Sequence, residues 1–270
     1  MADFIRLAFG TLTRLPVPAP TRVDKSTARG AMILAPLIGL LLGGIAVVAL
    51  DGVRVLAMND HAPSLVDLLA ATIAVAVLAF MTRGLHLDGL ADTFDALGVK
   101  GVNDEVTRVK RLAVMRTPDI GAFGVVAVVL CIMIQIAALA TCVASGLGSF
   151  GLLTAAMASR LSLTLSCRPH IRSARPDGLG ATVAGSVPTA IGAIVALVTM
   201  GTAAVFGRLD DDASLRTVFA LAASVGCAIV VGQLSLRMFT RSFGGLTGDV
   251  LGAVTELSFA ASLLTTAFIF

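Results

Sequence analysis

Apolar residues come in long runs along this chain, broken by short polar segments. Runs close to the roughly 20 residues that cross a bilayer as a helix occupy residues 31–50, 65–82, 120–144, 149–165, 182–206, 217–236 and 250–270. They predict about seven transmembrane helices and an all-α, polytopic membrane bundle. Ahead of the first run, Phe4, Ile5, Ala8, Phe9 and Leu12 recur at helical spacing and predict a short helix with one apolar face, lying on the membrane surface. The prolines of the PVPAP stretch, Pro16 to Pro20, end it, because proline lacks an amide donor and restricts the residue before it. Charges interrupt the apolar residues of this amino terminus, which therefore does not read as a cleavable signal. Residues 1–270 read as one integral membrane domain, with 1–30 an interfacial amino-terminal segment.

Composition agrees with that pattern. At 57% hydrophobic and 14% charged residues, the chain lies outside the range of soluble domains. Its Lys and Arg are unevenly placed: sixteen fall in loops on one side of the expected spans and three, Arg54, Arg208 and Arg216, on the other, with Arg160 inside a span. Basic loops stay in the cytoplasm, so the amino terminus is expected there and the carboxyl terminus outside. A net charge of +3 then reflects loop bias rather than a nucleic-acid partner. The acidic run Asp210, Asp211 and Asp212 falls on the outer side and reads as a solvated loop. Four cysteines, Cys131, Cys142, Cys167 and Cys227, lack the paired spacing of a zinc or redox site and read as small buried thiols. There is no Trp and no Tyr, so Phe, Arg and Lys must mark the membrane interfaces.

The candidate chemistry sits at the cytoplasmic end of the second run, in TRGLHLDGLADTFDALG, Thr82 to Gly98. At 100° per residue, Asp92 lies about 40° from Asp88 and Asp95 about 20° from it on the other side, so the three carboxylates share one stripe of a helix. Carboxylates this close repel one another unless a cation lies between them, and hard oxygen donors at this density suit Mg²⁺ or Mn²⁺. The alternative is a solvated acidic helix end; the surrounding Leu85, Leu87, Leu90, Phe94 and Leu97 count against it. His86, two residues before Asp88, points away from that stripe on a continuous helix.

A second cluster, GGLTGDVLGAVTEL from Gly244 to Leu257, places Gly244, Gly245, Thr247 and Gly248 ahead of the last span and sets Asp249 and Glu256 one heptad apart on one face. Glycine-rich amides can cradle phosphate, and a carboxylate on the following helix can complete a metal shell. The same glycines can equally serve close helix packing. Arg160, inside a span, needs an acidic or phosphate partner. An acidic cation site, glycine turns and basic loops are together the parts of phosphoryl or phosphodiester transfer.

These segments also carry a resemblance. The chain resembles the cobalamin synthase family, the adenosylcobinamide-GDP ribazoletransferases, almost end to end: TRLPVP at Thr13 to Pro18, Arg29 and Gly30 ahead of the first span, GLHLDGLADTFD at Gly84 to Asp95, MRTPDIGAFG at Met115 to Gly124, ARPDGLG at Ala174 to Gly180, and the cluster from Gly244 to Leu257. It departs at Thr117, Pro118 and Asp119, where the family often has an Asp-Ser-Arg type sequence, and at Ala96, where the family has glycine.

The resemblance implies that α-ribazole or its 5′-phosphate displaces GMP from adenosylcobinamide-GDP, giving adenosylcobalamin or its 5′-phosphate. The setting it implies is a bacterial inner membrane, with the active site facing the cytoplasm. It further implies Mg²⁺, or Mn²⁺, on Asp88, Asp92, Asp95 and Asp249, one of which takes the attacking hydroxyl's proton instead. Arg14, Arg29 and Arg175 become candidate diphosphate or guanosine contacts, with His86, Arg160, Gly244, Gly245, Thr247, Gly248 and Glu256 as further candidates around the substrates. Expected partners are the two substrates and the lipid bilayer, with a homo-oligomer left open and nucleic acid excluded.

Two other classes share some of these features. A cation-coupled transporter is disfavoured because the acids and arginines gather at one end of the spans. A magnesium-dependent phosphotransferase acting on a lipid-like substrate would carry a longer aspartate spacing that is absent.

Overall fold

The computed structural model describes residues 1–57, 63–210 and 214–270, so Asp211 and Asp212 of the acidic run lie outside the described residues. Eleven helices follow one another: α1 (Asp3–Leu12), α2 (Lys25–Leu56), α3 (Pro63–Met81), α4 (Leu85–Gly98), α5 (Asp104–Val114), α6 (Ala122–Ala144), α7 (Gly148–Ser166), α8 (Gly178–Val183), α9 (Thr189–Leu209), α10 (Leu215–Phe243) and α11 (Gly248–Ile269). Among the described residues, the only extended pairing is an isolated bridge between Ser173 and Leu246.

Six helices, α2, α3, α6, α9, α10 and α11, are long and apolar enough to cross a membrane. The remaining expected span, the fourth (149–165), corresponds to α7, which has 19 residues but carries Arg160 and several Ser and Thr. From Thr154 to Ser166 every residue of α7 is buried. It is an inner helix, and its polar groups meet protein where an outer helix would meet lipid. Around it, the outer helices expose large apolar side chains, among them Val48, Leu65, Phe80, Met133, Leu197 and Phe219, as a lipid-facing surface requires.

Contacts at the two ends establish that the long helices alternate in direction. At one end Arg54 near the close of α2 pairs with Asp67 at the start of α3 (3.4 Å), and Ser149 at the start of α7 donates to Asp51 (3.1 and 3.0 Å). Arg216 at the start of α10 donates to the last turn of α11 at the Ile269 carbonyl (3.1 Å). The opposite end gathers the basic segments. There the Arg14 amide donates to the Met81 carbonyl at the end of α3 (2.7 Å), and Arg29 donates to the Ser186 carbonyl (2.9 Å).

Boundaries moved where hydropathy is blind. α2 starts at Lys25, ahead of its apolar run, because Asp24 accepts from the Ser26 and Thr27 amides (3.0 and 2.9 Å) and caps it. The fifth expected span begins at Thr189 rather than 182. Gly185 at φ 68° breaks the chain there and leaves α8 as a separate short helix. α1 forms as expected and buries Leu7, Ala8 and Leu12. It crosses α2 at Gly30, where a Cβ would lie 2.7 Å from that of Phe4.

Candidate active site

The aspartate segment is set by a turn. After α3 the backbone passes through Arg83 and Gly84, both left-handed at φ 56° and 67°, and restarts as α4 in a new direction. α4 lies directly on α11. A Cβ on Gly89 would stand 2.7 Å from the Asp249 carbonyl oxygen, and one on Gly252 would stand 2.9 Å from the His86 carbonyl oxygen. One glycine from each sequence cluster therefore lets the two backbones touch. As a result Asp88 and Asp249 line one cavity of about 280 Å³, together with Arg175, Thr247, Gly248 and, deeper, His86. A larger cavity of about 790 Å³ adjoins it through Leu85, Asp88 and Leu179 and runs past Thr13, Thr82, Ile120 and Val128.

Asp92 lies one turn beyond Asp88 and is partly buried. Burial first, then the charges of Asp88, Asp249 and Asp95, raise its carboxyl from the ordinary 3.8 to about 7, while Arg175 pulls it the other way. A value raised in the folded state means that the fold binds the proton better than the unfolded chain does. That contribution is complete below about pH 4 and is lost as pH rises through about 7. In EDTA, thermal unfolding of the solubilised protein should therefore show a midpoint that falls between these limits. Asp92→Asn should flatten the slope, and an unchanged slope in that variant would show that the raised Asp92 carboxyl does not carry this pH dependence.

Asp95 faces a different partner. Its two carboxylate oxygens accept the backbone amides of Gly121 and Gly124, each at 2.7 Å, at the positive amino-terminal end of α6. Both positions must be glycine, since a Cβ there would lie 2.4 and 2.3 Å from the carboxylate. The segment GAFG thus receives Asp95 and ties α4 to α6.

In the second cluster, Gly244 ends α10 in the left-handed conformation (φ 82°). Gly245 packs against the backbone of residues 172–174. The Leu246 amide donates to the Arg172 carbonyl (2.8 Å), and the Ala174 amide donates to the Leu246 carbonyl (3.0 Å). These two glycines serve close packing, whereas Gly248 and Gly252 of the same cluster line the cavity. Thr247 caps α11 by accepting from the Val250 amide (3.1 Å). Arg175 donates to the Leu112 carbonyl (2.9 Å), and its Nη1 stands 3.8 Å from Asp249 Oδ2. That oxygen is buried without a hydrogen bond.

The remaining candidates lie elsewhere. Arg14 stacks on Phe80, 3.8 Å from the ring centroid, and Arg29 holds the Ser186 carbonyl; neither lines the two cavities. Asp119 is exposed and also lines neither. Glu256 does not join Asp249, because seven residues along a helix is roughly 10 Å. It accepts from Gln135 Nε2 (2.7 Å) and faces Arg160 across a small internal cavity that Gln135 and Thr82 also line. Glu256 is thus the acidic partner that Arg160 requires. Gln135, a lone amide in an apolar run, was the sequence signal for this network. Glu256→Ala leaves the buried Arg160 charge uncompensated and should cost about 3–5 kcal/mol of stability. An unshifted unfolding midpoint would contradict the pairing.

Among the described residues, no three His, Cys, Asp or Glu side chains close around a single point by themselves. Asp88 and Asp249 still meet at one cavity, which brings the two sequence clusters together.

Comparison with known proteins decides the family. The cobalamin-5-phosphate synthase family model matches residues 4–267. The chain belongs to this family. It is 42% identical to an adenosylcobinamide-GDP ribazoletransferase of Frankia casuarinae, over 97% of this chain and 93% of the relative. A protein of the same name from Nocardioides sp. is 40% identical over 98% of both chains, and one from Escherichia coli strain K12 is 36% identical over 94% of both. No solved structure matches the chain. The resemblance to the cobalamin synthase family, the adenosylcobinamide-GDP ribazoletransferases, read from the motifs is thereby confirmed over nearly the full length.

Proposed function

We propose that this protein is an adenosylcobinamide-GDP ribazoletransferase, joining α-ribazole or its 5′-phosphate to adenosylcobinamide-GDP with release of GMP. The meeting of Asp88, Asp249 and Arg175 at one cavity, beside a larger apolar-walled one, carries the reading. The larger cavity suits a bulky corrinoid, and the smaller one suits its diphosphate arm. In the reaction, the ribose 3′-hydroxyl oxygen forms a bond to the phosphorus attached to the corrinoid's aminopropanol arm. The bond from that phosphorus to the bridging oxygen breaks, and GMP leaves with the electron pair.

The chain's own residues divide this work. Arg175 and the amino-terminal turn of α11 face the diphosphate oxygens, the first as a charge and the second as a row of oriented amides. Asp92, with a carboxyl group that titrates near neutrality, takes the hydroxyl proton. Asp95 keeps α4 fixed against α6.

The donor set fits a hard divalent cation. Asp249 Oδ2 is buried without a hydrogen bond among the described residues, and Asp92 carries the strain of neighbouring carboxylates. Mg²⁺ or Mn²⁺ would be held by Asp88 and Asp249, leaving Asp92 as the base, and it would offset the charge that builds on the departing phosphate. Sixteen basic residues in the segments that the sequence places on the side of this site support a cytoplasmic orientation in the bacterial inner membrane. The testing experiment incubates purified protein with both substrates. GMP and a new corrinoid should appear in equal amounts, and corrinoid consumption without GMP would refute the reading.

A further inference from the structure

A third cavity, of about 350 Å³, lies between α1 and the proline-rich segment that follows it. Its charged lining residues are two arginines, Arg6 and Arg83. Gly10, Thr11 and Arg83 also line the 790 Å³ cavity that ends at Asp88, so the two spaces adjoin at Arg83.

Neither arginine is used up by the fold. Arg83 is the one non-glycine residue with a left-handed backbone among the described residues, at φ 56°. Such conformations persist where the surroundings impose them, and they cluster at ligand sites. Among the described residues its guanidinium, on an exposed residue, reaches only the Thr13 carbonyl, at 3.4 Å. Arg6 touches Asp3 at 3.4 Å through Nη1, while its buried Nε has no acceptor. The Asp3 carboxylate is itself occupied by Thr21, from its amide (3.0 Å) and hydroxyl (2.6 Å), and by the Arg22 amide (3.1 Å). Two guanidinium groups with spare donors therefore face a space with no acidic wall.

We propose that this cavity is the phosphate subsite of the acceptor, with Arg6 and Arg83 gripping the 5′-phosphate of α-ribazole 5′-phosphate while its 3′-hydroxyl points along the larger cavity to Asp88. This rests on the transferase reading above. A phosphomonoester carries nearly two negative charges at neutral pH, and the carboxylates that serve the diphosphate chemistry repel it. It needs a basic subsite set apart from Asp88, Asp92 and Asp249, and guanidinium forks match its oxygens. The same chemistry would bind a phosphate of a lipid headgroup, so the test separates the two.

The full-length protein, in nanodiscs of neutral phosphatidylcholine, is assayed for kcat/KM with α-ribazole 5′-phosphate and with α-ribazole. Wild type should prefer the phosphorylated acceptor. In Arg6→Gln and in Arg83→Gln that preference should fall by roughly 10- to 100-fold, through KM of the phosphorylated acceptor. Arg83→Lys should restore part of it. Thermal unfolding checks each protein, and the two positions on separate elements keep the test alive if one variant fails to fold. Equal losses on both acceptors, or a wild type without preference, would overturn the subsite. So would a defect that appears only when anionic lipid is added, which would assign the pair to headgroups. Wild type that turns over neither acceptor refutes the transferase reading itself.

Discussion

Asp88→Ala is expected to lower turnover on the order of a thousandfold while leaving the protein folded. The side chain is exposed at the wall shared by the two cavities, and it takes no hydrogen bond or ion pair among the described residues that its loss would break. Its charge also raises the neighbouring Asp92, so its removal eases repulsion among the carboxylates. A structural residue would show the opposite pattern, with stability falling first. Turnover within tenfold of wild type, in a variant that unfolds at the wild-type temperature, would remove Asp88 from the chemistry and leave Asp249 and Arg175 to carry it.

Gly89→Val is expected to damage both stability and activity, through backbone contact alone. The atoms that its Cβ would meet are the Asp249 carbonyl oxygen at 2.7 Å and Asp249 Cα at 3.0 Å, and no side-chain rotation can clear them. Overpacking of this kind costs about 1–3 kcal/mol. The helices can relieve it only by moving apart, which carries Asp88 away from Asp249. A displacement near 1 Å at a reacting site costs roughly a hundredfold in rate, so turnover should fall at least that far even where the variant folds. Gly44→Val is the matched control, since Gly44 lies within a helix with nothing within 4 Å of its Cβ position. Equal effects at the two positions would mean that the α4–α11 crossing does not set the site.

What the sequence made legible follows from how local each signal is. Apolar runs announce spans one at a time, and six of the seven crossed the threshold of length and composition. The exception, α7, is polar because its neighbours shield it, which composition along one helix does not reveal. The stripe of Asp88, Asp92 and Asp95 was readable from helical spacing, but the partners of each acid were not. Asp95 turned to the amides of Gly121 and Gly124. Glu256 shares the face of Asp249 but sits about two turns further along α11, where it accepts from Gln135 of α6 and faces Arg160 of α7 across a small cavity. Gly89 and Gly252 each looked like ordinary helical glycines, and only their meeting explains both. The signal that went unread was Arg83. This long basic residue stands directly before the motif that begins at Gly84, yet its left-handed backbone is visible only in three dimensions.

The measurement that bears most directly on the central claim is Mn²⁺ binding by electron paramagnetic resonance, on the full-length protein with and without adenosylcobinamide-GDP, in wild type and in the Asp88→Ala, Asp249→Ala double variant. If α4 and α11 together build a cation site that reads the diphosphate, wild type will bind Mn²⁺ more tightly when the GDP-bearing corrinoid is present, and the double variant will lose that gain. Mn²⁺ binding of equal strength in both proteins, with substrate present, would contradict the claim that the contact of these two helices forms the active site.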